Sequence, residues 1–418
     1  MKNFINYKSS LTRLSGLAIA AMMTSSCGYK SFSAPETMKA IVLAFTGVDS
    51  GGKAEFALTE KTYRTMTDFN NLDGTYLNIK RGGTLTIKNL NGSIVESPNF
   101  EGGEAPALRY EVKNGAAVAL DYSTLAMLSA YYQLDEIYST IEAKTGVTPA
   151  ALQANLPGGK HIMFFEPVIK FSGQGTDVSA GIKLNAAFSP SDKNFLLFQR
   201  SPIESVPLSG NFQVLTHEFG HFIFDYSFYA GKFSETNRWA KEWAMSGINE
   251  GFADFNSWTF TDCTDILRSS IDITKIADER DFAKTTFTFT DLEGDDPTAC
   301  RGEFYCVGSL FARSLYQTQK ALASTVSKKD MSNGVIETLK KCQDAMNAMD
   351  PTHMPAEKDR DPMDTITRFD YDGAVTSGFI EAFIKNAPAS WKGQLCGAFE
   401  NNFGTTGFNT TARTAACG

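Results

Sequence analysis

The chain has 418 residues, of which 42% are hydrophobic and 21% are charged. This composition supplies enough apolar residues for two or three packed units, and it excludes a disordered or fibrous chain. Asp and Glu number 47 against 39 Lys and Arg, and no basic block occurs, so the sequence lacks the electrostatic footprint of a nucleic-acid-binding protein. Nucleic acid is therefore excluded as an expected partner.

The first 26 residues have the pattern of a signal peptide that directs export. A basic start is followed by a short apolar run at 14–23 and then by Ser25 and Ser26, small residues typical of a cleavage site. This run of ten mostly apolar residues is too short for a membrane-spanning helix, which needs about 20. The basic residues of the segment are Lys2, Lys8 and Arg13.

Residues 24–27, Thr-Ser-Ser-Cys, resemble a bacterial lipobox, in which the cysteine is lipidated and becomes the new N-terminus. Thr24 departs from the aliphatic residue that is usual at that position, so plain secretion is the alternative. Gly28 resembles the pattern that sorts lipoproteins to the outer membrane. The resemblance implies an exported bacterial protein that is anchored to the outer membrane, on its periplasmic or surface face, through lipidated Cys27 and a tether at 27–37.

From residue 38 onward the patterns predict an α+β protein in three parts. Residues 38–118 are predicted to form a small β-rich N-terminal domain, because short apolar runs alternate with turn signals such as Asn91-Gly92. Residues 119–298 are predicted to combine a mixed sheet with helices, since an amphipathic helical pattern precedes strand-like apolar runs. Residues 299–418 are predicted to be a mainly helical C-terminal subdomain with disulfides.

Six cysteines remain once Cys27 is assigned to lipid. An even number in an exported chain predicts three disulfides, although sequence alone cannot assign the pairing. Cys300 and Cys306 are close enough in sequence to close a small loop. Buried free thiols are the alternative, and a zinc cluster is disfavoured because no Cys-x-x-Cys pair occurs. The six are Cys263, Cys300, Cys306, Cys342, Cys396 and Cys417.

Residues 217–221 read His-Glu-Phe-Gly-His. Residues four apart lie on one face of a helix, so His217 and His221 can bind one metal ion while Glu218 lies beside them and faces a bound water. Zinc is the predicted ion. Two structurally satisfied histidines are the alternative, but this motif would arise by chance in a chain of this composition with a probability of only about 10⁻³.

A catalytic zinc needs a third protein ligand and a coordination position left open for water. The metzincin pattern would place Gly at 224 and His at 227, but Phe224 and Ser227 stand there. The third ligand must therefore come from another segment. Downstream, Glu250 and Asp254 are four residues apart and share a helical face.

Together the two segments resemble the gluzincin metallopeptidases, which include thermolysin-like and fungalysin-like enzymes. The resemblance implies that residues 119–298 are a zincin-like catalytic domain, that Glu250 is the third zinc ligand and that Asp254 hydrogen-bonds His217. The departure from the family is the spacer, because the 28 residues between His221 and Glu250 are more than is usual.

Three other carboxylates near the motif allow alternatives. Glu235 and Glu242 are rival third ligands, but neither is followed four positions later by an acidic residue that could support a histidine, as Glu250 is. Asp225 could support His221, or it could be a solvated or capping carboxylate.

The resemblance extends to two further segments. Asn185 and Ala186 resemble the edge strand that holds an extended peptide in thermolysin-like peptidases, which implies substrate binding by strand addition. An ordinary strand or turn is the alternative. Tyr305, three residues before Gly308, stands where the family has a histidine that stabilises the oxyanion, and a phenol can donate the same hydrogen bond. His353, in a Pro-rich loop, is the rival donor.

An acidic loop at 291–296 could hold calcium, but the usual twelve-residue calcium loop pattern is absent. A solvated acidic loop is the favoured interpretation, so Ca²⁺ is not a favoured cofactor. His161, on a predicted strand, is interpreted as a core or surface histidine. The acidic residues of the loop are Asp291, Glu293, Asp295 and Asp296.

These patterns predict a zinc-dependent endopeptidase that hydrolyses extended polypeptides with metal-activated water and with Glu218 as general base. A non-catalytic surface-binding or adhesion lipoprotein on a peptidase scaffold is the alternative, and the intact Glu218 argues against it. Hydrolysis of another type of bond is a third hypothesis, since such a site activates water whatever the substrate. The expected partners are a polypeptide substrate and, through Cys27, a membrane. The oligomeric state is not predicted.

Overall fold

A computed structural model describes the chain at 34–35, 38–90, 93–94, 99–172, 178–180, 186–190, 192–198, 206–231, 243–270, 281–284, 286–293, 304–348 and 365–418. The predicted signal peptide and the lipidation site Cys27 lie outside these residues. Within them, no helix is long and apolar enough to cross a membrane.

The protein has a mixed α and β fold, with sheets in the N-terminal half and helices in the C-terminal half. The described strands are β1 (Lys39–Val48), β2 (Ala54–Thr62), β3 (Met66–Asp68), β4 (Asp73–Gly74), β5 (Leu77–Arg81), β6 (Thr84–Leu90), β7 (Ser93–Ile94), β8 (Asn99–Glu101), β9 (Tyr110–Lys113), β10 (Ala116–Ala119), β11 (His161–Phe165), β12 (Val168–Ser172), β13 (Val178–Ala180), β14 (Ala186–Ser189) and β15 (Asn194–Leu197). The described helices are α1 (Tyr122–Thr145), α2 (Pro149–Gln153), α3 (Phe212–Ser227), α4 (Trp243–Thr261), α5 (Phe304–Leu322), α6 (Lys328–Asn347), α7 (Thr365–Asn386), α8 (Lys392–Gly407) and α9 (Thr410–Cys417).

The strands form three sheets, in the orders β2-β1-β10-β9, β14-β15-β11-β5-β4-β3 and β13-β12-β6-β7, with β8 on β6. In the second sheet β5 pairs in parallel with β11, Leu77 opposite His161. This sheet therefore crosses the boundary that the sequence predicts at residue 118. In the third sheet Leu90 lies opposite Ser93, so β6 and β7 flank the predicted Asn91-Gly92 turn, whose own residues are outside the described part of the chain.

Helix α1 packs against the first sheet. It begins after Asp121, whose side chain accepts a hydrogen bond from the Thr124 N–H, as expected of an N-cap. On β1, the backbone N–H of Leu43 donates to Ser129 Oγ and the Leu43 carbonyl accepts from Gln133 Nε2, each at 2.9 Å. These two bonds fix α1 against the middle of the first sheet.

The C-terminal helices pack through aromatic rings. Phe311 of α5 lies 5.8 Å from Phe379 of α7 and 5.8 Å from Phe399 of α8, measured between ring centroids. All three side chains are fully buried. The predicted helical character of the region after residue 299 is thus present in the described residues.

The expectation of three disulfides is wrong. Cys396 and Cys417 form a disulfide that ties α8 to α9, and Cys306 is also disulfide-bonded. Cys263 and Cys342 are free thiols, both buried. An even number of cysteines says nothing about where the side chains lie, and these two are packed inside the core. Burial raises the pKa of Cys263 to about 12 and that of Cys342 further still.

Candidate metal centre

The centre begins with helix α3, which carries the His-Glu-Phe-Gly-His segment. The helix starts after Asn211, whose side chain accepts a hydrogen bond from the Gln213 N–H at 2.9 Å. Every residue of α3 is buried except His221 and Tyr226. The motif is therefore held in the interior, with His221 at its accessible end.

Helix α4 crosses α3 at very short range. A Cβ atom at Gly220 would lie 2.7 Å from the Cα atom of Ala253, so only glycine permits this approach. Asn256 donates from Nδ2 to the Thr216 carbonyl at 2.7 Å and pins the same crossing. Because Gly220 lies between the two histidines of the motif, the crossing brings Glu250 of α4 to them.

Three ligand atoms converge at this point. His217 Nε2 is 3.1 Å from His221 Nε2 and 3.2 Å from Glu250 Oε2, and His221 Nε2 is 3.6 Å from Glu250 Oε1. Among the described residues, these three are the group of His, Cys, Asp and Glu side chains that could hold a metal ion. The structure thus brings together the two motif histidines and the glutamate that the family resemblance implies.

The outer nitrogen of each histidine faces an oxygen acceptor on α4. His217 Nδ1 is 2.8 Å from Asp254 Oδ1, which is the contact that the resemblance implies. His221 Nδ1 is 3.0 Å from Asn249 Oδ1, a partner that sequence reasoning missed. The only signal for Asn249 was its place directly before Glu250. If the hydrogen of each neutral ring is on Nδ1, facing these oxygens, the Nε2 lone pairs of both histidines point into the space between the rings and Glu250.

This arrangement fits a cation. Two neutral rings would turn two Nε2 lone pairs and a carboxylate toward one point, where a positive charge removes the repulsion between them. Tetrahedral coordination with bonds of about 2.0 to 2.1 Å separates ligand atoms by about 3.3 Å, close to the spacings of this cluster. Residues His217, His221 and Glu250 can therefore hold a metal ion.

The electrostatics of the centre agree with that fit. Burial disfavours a charge on His217, but hydrogen bonds to Asp254 and Glu250 and the charges of these carboxylates outweigh it and raise the pKa of His217 to about 10. For His221 burial prevails, and its pKa is lowered despite the nearby Glu250. The two carboxylates thus create a negative field in which a cation is favoured.

Glu218 lies beside His217 on α3 and is not one of the three converging groups. Its side chain belongs to the buried polar residues, with 7% of the residue exposed. Glu218 is therefore a buried carboxylate next to His217 in the chain and outside the cluster that could hold a metal ion.

The first turn of α5 reaches the centre through a second close helix crossing. A Cβ atom at Gly251 would lie 2.2 Å from the Gly308 carbonyl oxygen, and one at Gly308 would lie 3.0 Å from Glu250 Cβ. Tyr305 is in the same turn, three residues before Gly308, and is half-buried. The structure therefore places Tyr305 within one helical turn of the contact with Glu250.

Strand β14 is the edge of the second sheet nearest to α3. Among the described strands it pairs only with β15, antiparallel, with Ala186 opposite Leu197. Phe188 of β14 packs on Phe222 of α3 with 5.7 Å between ring centroids. Ala186 is thus on an edge strand beside the metal helix, and Asn185 lies outside the described residues.

The remaining candidates lie elsewhere. His161 is fully buried among aromatic rings, and burial lowers its pKa to about 3, so it is a core histidine. Both expectations for Asp225 are wrong. Its carboxylate is buried and pairs with Lys193, whereas the residue that faces His221 Nδ1 is Asn249. Asp291 accepts hydrogen bonds from the N–H and hydroxyl of Thr288 in its own turn. Six residues named in the sequence analysis lie outside the described residues. They are the rival ligands Glu235 and Glu242, the rival donor His353, Cys300, and Asp295 and Asp296 of the acidic loop.

The centre as a whole joins a cluster that could hold a metal ion, a buried carboxylate and strand β14 around one helix. His221 and Glu250 are partly exposed, so a ligand atom can approach the cation site from that side. Neither a protein family model nor a curated protein sequence matches this chain.

Proposed function

We propose that this protein is a zinc-dependent endopeptidase that hydrolyses the peptide bonds of extended polypeptides. The observation that carries the proposal is the convergence of His217 Nε2, His221 Nε2 and the Glu250 carboxylate beside Glu218. Two neutral imidazoles and one carboxylate are a common ligand set for catalytic zinc, which keeps a fourth position open for water.

In the proposed mechanism, His217, His221 and Glu250 hold the ion, while Asp254 and Asn249 fix the ring orientation of the two histidines. When bound, zinc supplies a Lewis acid that lowers the pKa of its water toward about 7. The acceptors on Nδ1 also strengthen both imidazoles as donors to the ion.

Glu218 moves the proton in this mechanism. A carboxylate oxygen of Glu218 accepts the proton of the attacking water and later passes it to the nitrogen of the leaving amine. Tyr305 is proposed to donate a hydrogen bond from its hydroxyl to the oxyanion that develops on the substrate carbonyl.

The substrate is proposed to bind along β14. An extended peptide can add to the edge of a sheet through main-chain hydrogen bonds, and β14, which has one neighbour among the described strands, runs beside α3. This mode of binding favours unfolded or flexible polypeptide over compact protein.

The site of action is proposed to be the outer membrane, to which the chain is attached by a lipid on Cys27 after export. The support is the basic and apolar pattern of the first 26 residues and the lipobox-like segment at 24–27. Labelling with radioactive palmitate, compared between the unmodified protein and Cys27→Ala, tests this proposal. Equal labelling of the two proteins would exclude lipid attachment at Cys27.

The test of the enzymatic proposal separates the metal ligand from the base. Purified protein is stripped with a chelator and reloaded with zinc, and both metal content and casein cleavage are measured. Glu218→Gln should keep one zinc per chain and lose about 10²- to 10⁴-fold in turnover, because only the base is removed. Glu250→Ala should lose both zinc and activity. Glu337→Gln, which changes an exposed glutamate on α6, is the control and should match the unmodified protein.

The results distinguish the competing functions. If the zinc-loaded protein cleaves neither casein nor unfolded peptides, the result supports the alternative function, a non-catalytic binding or adhesion protein. A Glu218→Gln protein that cleaves at the unmodified rate would contradict the mechanism.

A further inference from the structure

A buried ion pair joins the edge-strand hairpin to the metal helix. The Lys193 ammonium binds the Asp225 carboxylate, and only 6% and 2% of these side chains are exposed. Lys193 directly precedes β15 in the connection from β14, whereas Asp225 belongs to α3. Two charges taken out of water are each costly unless they remain paired, so this contact constrains both segments that carry it.

The ion pair lies on the metal-binding face of α3. His217, His221 and Asp225 are spaced four residues apart, and residues at this spacing form one row along a helix. Asp225 is therefore one turn beyond His221 in the same row as both histidines. A segment that is tied to Asp225 is tied to the row from which the metal ligands project.

The backbone of Lys193 is also fixed in place, by a contact with His161. Its carbonyl oxygen accepts a hydrogen bond from His161 Nδ1 at the start of β11, and its φ of +56° is in the left-handed region that non-glycine residues rarely adopt. The His161 ring packs 4.5 Å from the Phe222 ring of α3 and 4.8 Å from the Phe195 ring of β15, between centroids. The sheet, the hairpin and the metal helix thus meet at Lys193.

We propose that Lys193 is a positioning residue whose ion pair with Asp225 sets the place of β14 relative to His217 and His221. Strand β14 has one described neighbour, β15, and it contacts α3 directly where Phe188 packs on Phe222. The ion pair at Lys193 is a second attachment, at the end of the hairpin. The consequence for catalysis rests on the proposed peptidase function. It is that a peptide bound along β14 lies at the right distance from the metal centre.

The test uses variants that remove the ion pair without leaving a lone buried charge. Lys193→Met combined with Asp225→Leu replaces both charges by apolar side chains of similar size, a change that folded proteins tolerate. The matched control is Lys160→Met, because Lys160 makes a partly exposed ion pair with Asp73 at 2.8 Å elsewhere in the same sheet. Lys193→Arg retains the charge and tests rescue.

Three quantities are measured on the full chain loaded with zinc. They are the zinc content, the hydrogen exchange of the amides at Ala186–Ser189, and the KM and kcat for a long unfolded peptide and for a short peptide that does not reach β14. The double variant should keep one zinc per chain, exchange faster at Ala186–Ser189, and show a KM for the long peptide that is about tenfold higher, with little change for the short one. Lys160→Met should show none of these effects, and Lys193→Arg should recover most of the loss.

Each outcome decides between the two proposals. A double variant with unchanged exchange at β14, or with an unchanged KM for the long peptide, overturns the role of Lys193 while the peptidase function stands. If the unmodified zinc-loaded protein cleaves no peptide, the peptidase function fails, and the exchange at Ala186–Ser189 alone supports or overturns the positioning role.

Discussion

Asn249 and Asp254 face the two histidines of the proposed metal site from the same helix that supplies Glu250. Asn249 Oδ1 accepts a hydrogen bond from His221 Nδ1 at 3.0 Å, and Asp254 Oδ1 lies 2.8 Å from His217 Nδ1. The rings can then turn only one nitrogen toward the ion. Such partners hold the tautomer and the orientation of a ligand, and their loss weakens metal binding without removing a ligand.

Replacing Asn249 with Ala should raise the dissociation constant for zinc by about 10- to 100-fold, because the His221 ring loses its fixed orientation. Competition with a chromophoric zinc chelator measures the effect. Asn249→Asp is the control, since it retains an oxygen acceptor, and it should bind zinc at least as well as the unmodified protein. Equal affinity of Asn249→Ala and the unmodified protein would show that the contact with His221 has no role in binding.

His161 gives the fold a dependence on pH that is separate from the metal centre. Burial lowers its pKa in the folded protein to about 3, well below the ordinary value of 6.5. The unfolded chain therefore takes up a proton below about pH 6.5, and the folded chain does not until near pH 3. Stability contributed by neutral His161 is complete above pH 6.5 and is lost as the pH falls from 6.5 toward 3.

The corresponding variant is His161→Gln, which keeps a donor for the Lys193 carbonyl and removes the titration. Between pH 7 and pH 5 the free energy of unfolding of the unmodified protein should fall by about 2 kcal/mol more than that of His161→Gln. Urea unfolding at the two pH values measures both. If the free energy of unfolding falls equally in the two proteins between pH 7 and pH 5, His161 takes up its proton in the folded state as readily as in the unfolded chain.

At the scale of elements, the metal centre depends on how closely three helices approach one another. Helices α3 and α4 cross at Gly220, and α4 and α5 cross where Gly251 meets Gly308. In both crossings the backbone of one helix lies where a side chain would otherwise be. The glycines are interleaved with the functional residues, so the same contacts that pack the helices also place Glu250.

Gly251→Ala should destabilise the protein by about 1 to 3 kcal/mol, because the added Cβ would overlap the Gly308 carbonyl and force α4 and α5 apart. It should also reduce zinc binding, since Glu250 moves with α4. The control is Gly397→Ala on α8, where the added Cβ meets no atom within 4 Å and should raise stability by up to about 1 kcal/mol. Urea unfolding and zinc content are the measurements, and an unaffected Gly251→Ala protein would contradict the crossing.

The sequence allowed part of this centre to be predicted, for a physical reason. His217 and His221 follow from helical geometry alone, because a spacing of four places both rings on one face. Glu250 and Asp254 required the resemblance to a family, since nothing local links α4 to α3. Asn249 was missed because its role depends on which ring nitrogen faces it, and that is decided by the crossing of the two helices.

The same limit applies to the sheets. Short strands were expected in the first part of the chain, and they are present. The pairing of β5 with β11 was not predicted, because it joins residues that are separated in sequence by the whole of α1. Local patterns describe the shape of a segment, whereas the partner of a strand is determined by the packing of distant segments.

At the scale of the whole molecule, the cysteines divide into two groups. Cys396 and Cys417 tie the last two helices together, whereas Cys263 and Cys342 are free within the core. Since burial both excludes reagents and raises the pKa of a thiol, the two free cysteines should be inert in the folded state.

Iodoacetamide should therefore modify neither Cys263 nor Cys342 in the native protein and both of them in urea without a reductant. Cys396 and Cys417 should be modified only after reduction. Peptide mass mapping reads each site separately. Recovery of Cys263 and Cys342 in a disulfide-linked peptide from the non-reduced protein would contradict their assignment as free thiols.

The parallel pairing of β5 with β11 also affects the timing of assembly. During synthesis the chain emerges from its N-terminus, and β5 has no partner on one edge until residues 161–165 have followed it. The second sheet is complete only after β14 and β15 have followed, at residue 197, and Glu250 comes later still. A nascent chain that stops before α4 should therefore bind zinc weakly, because it has only two of the three ligands. Metal entry is thus expected to be among the last events in the maturation of the protein.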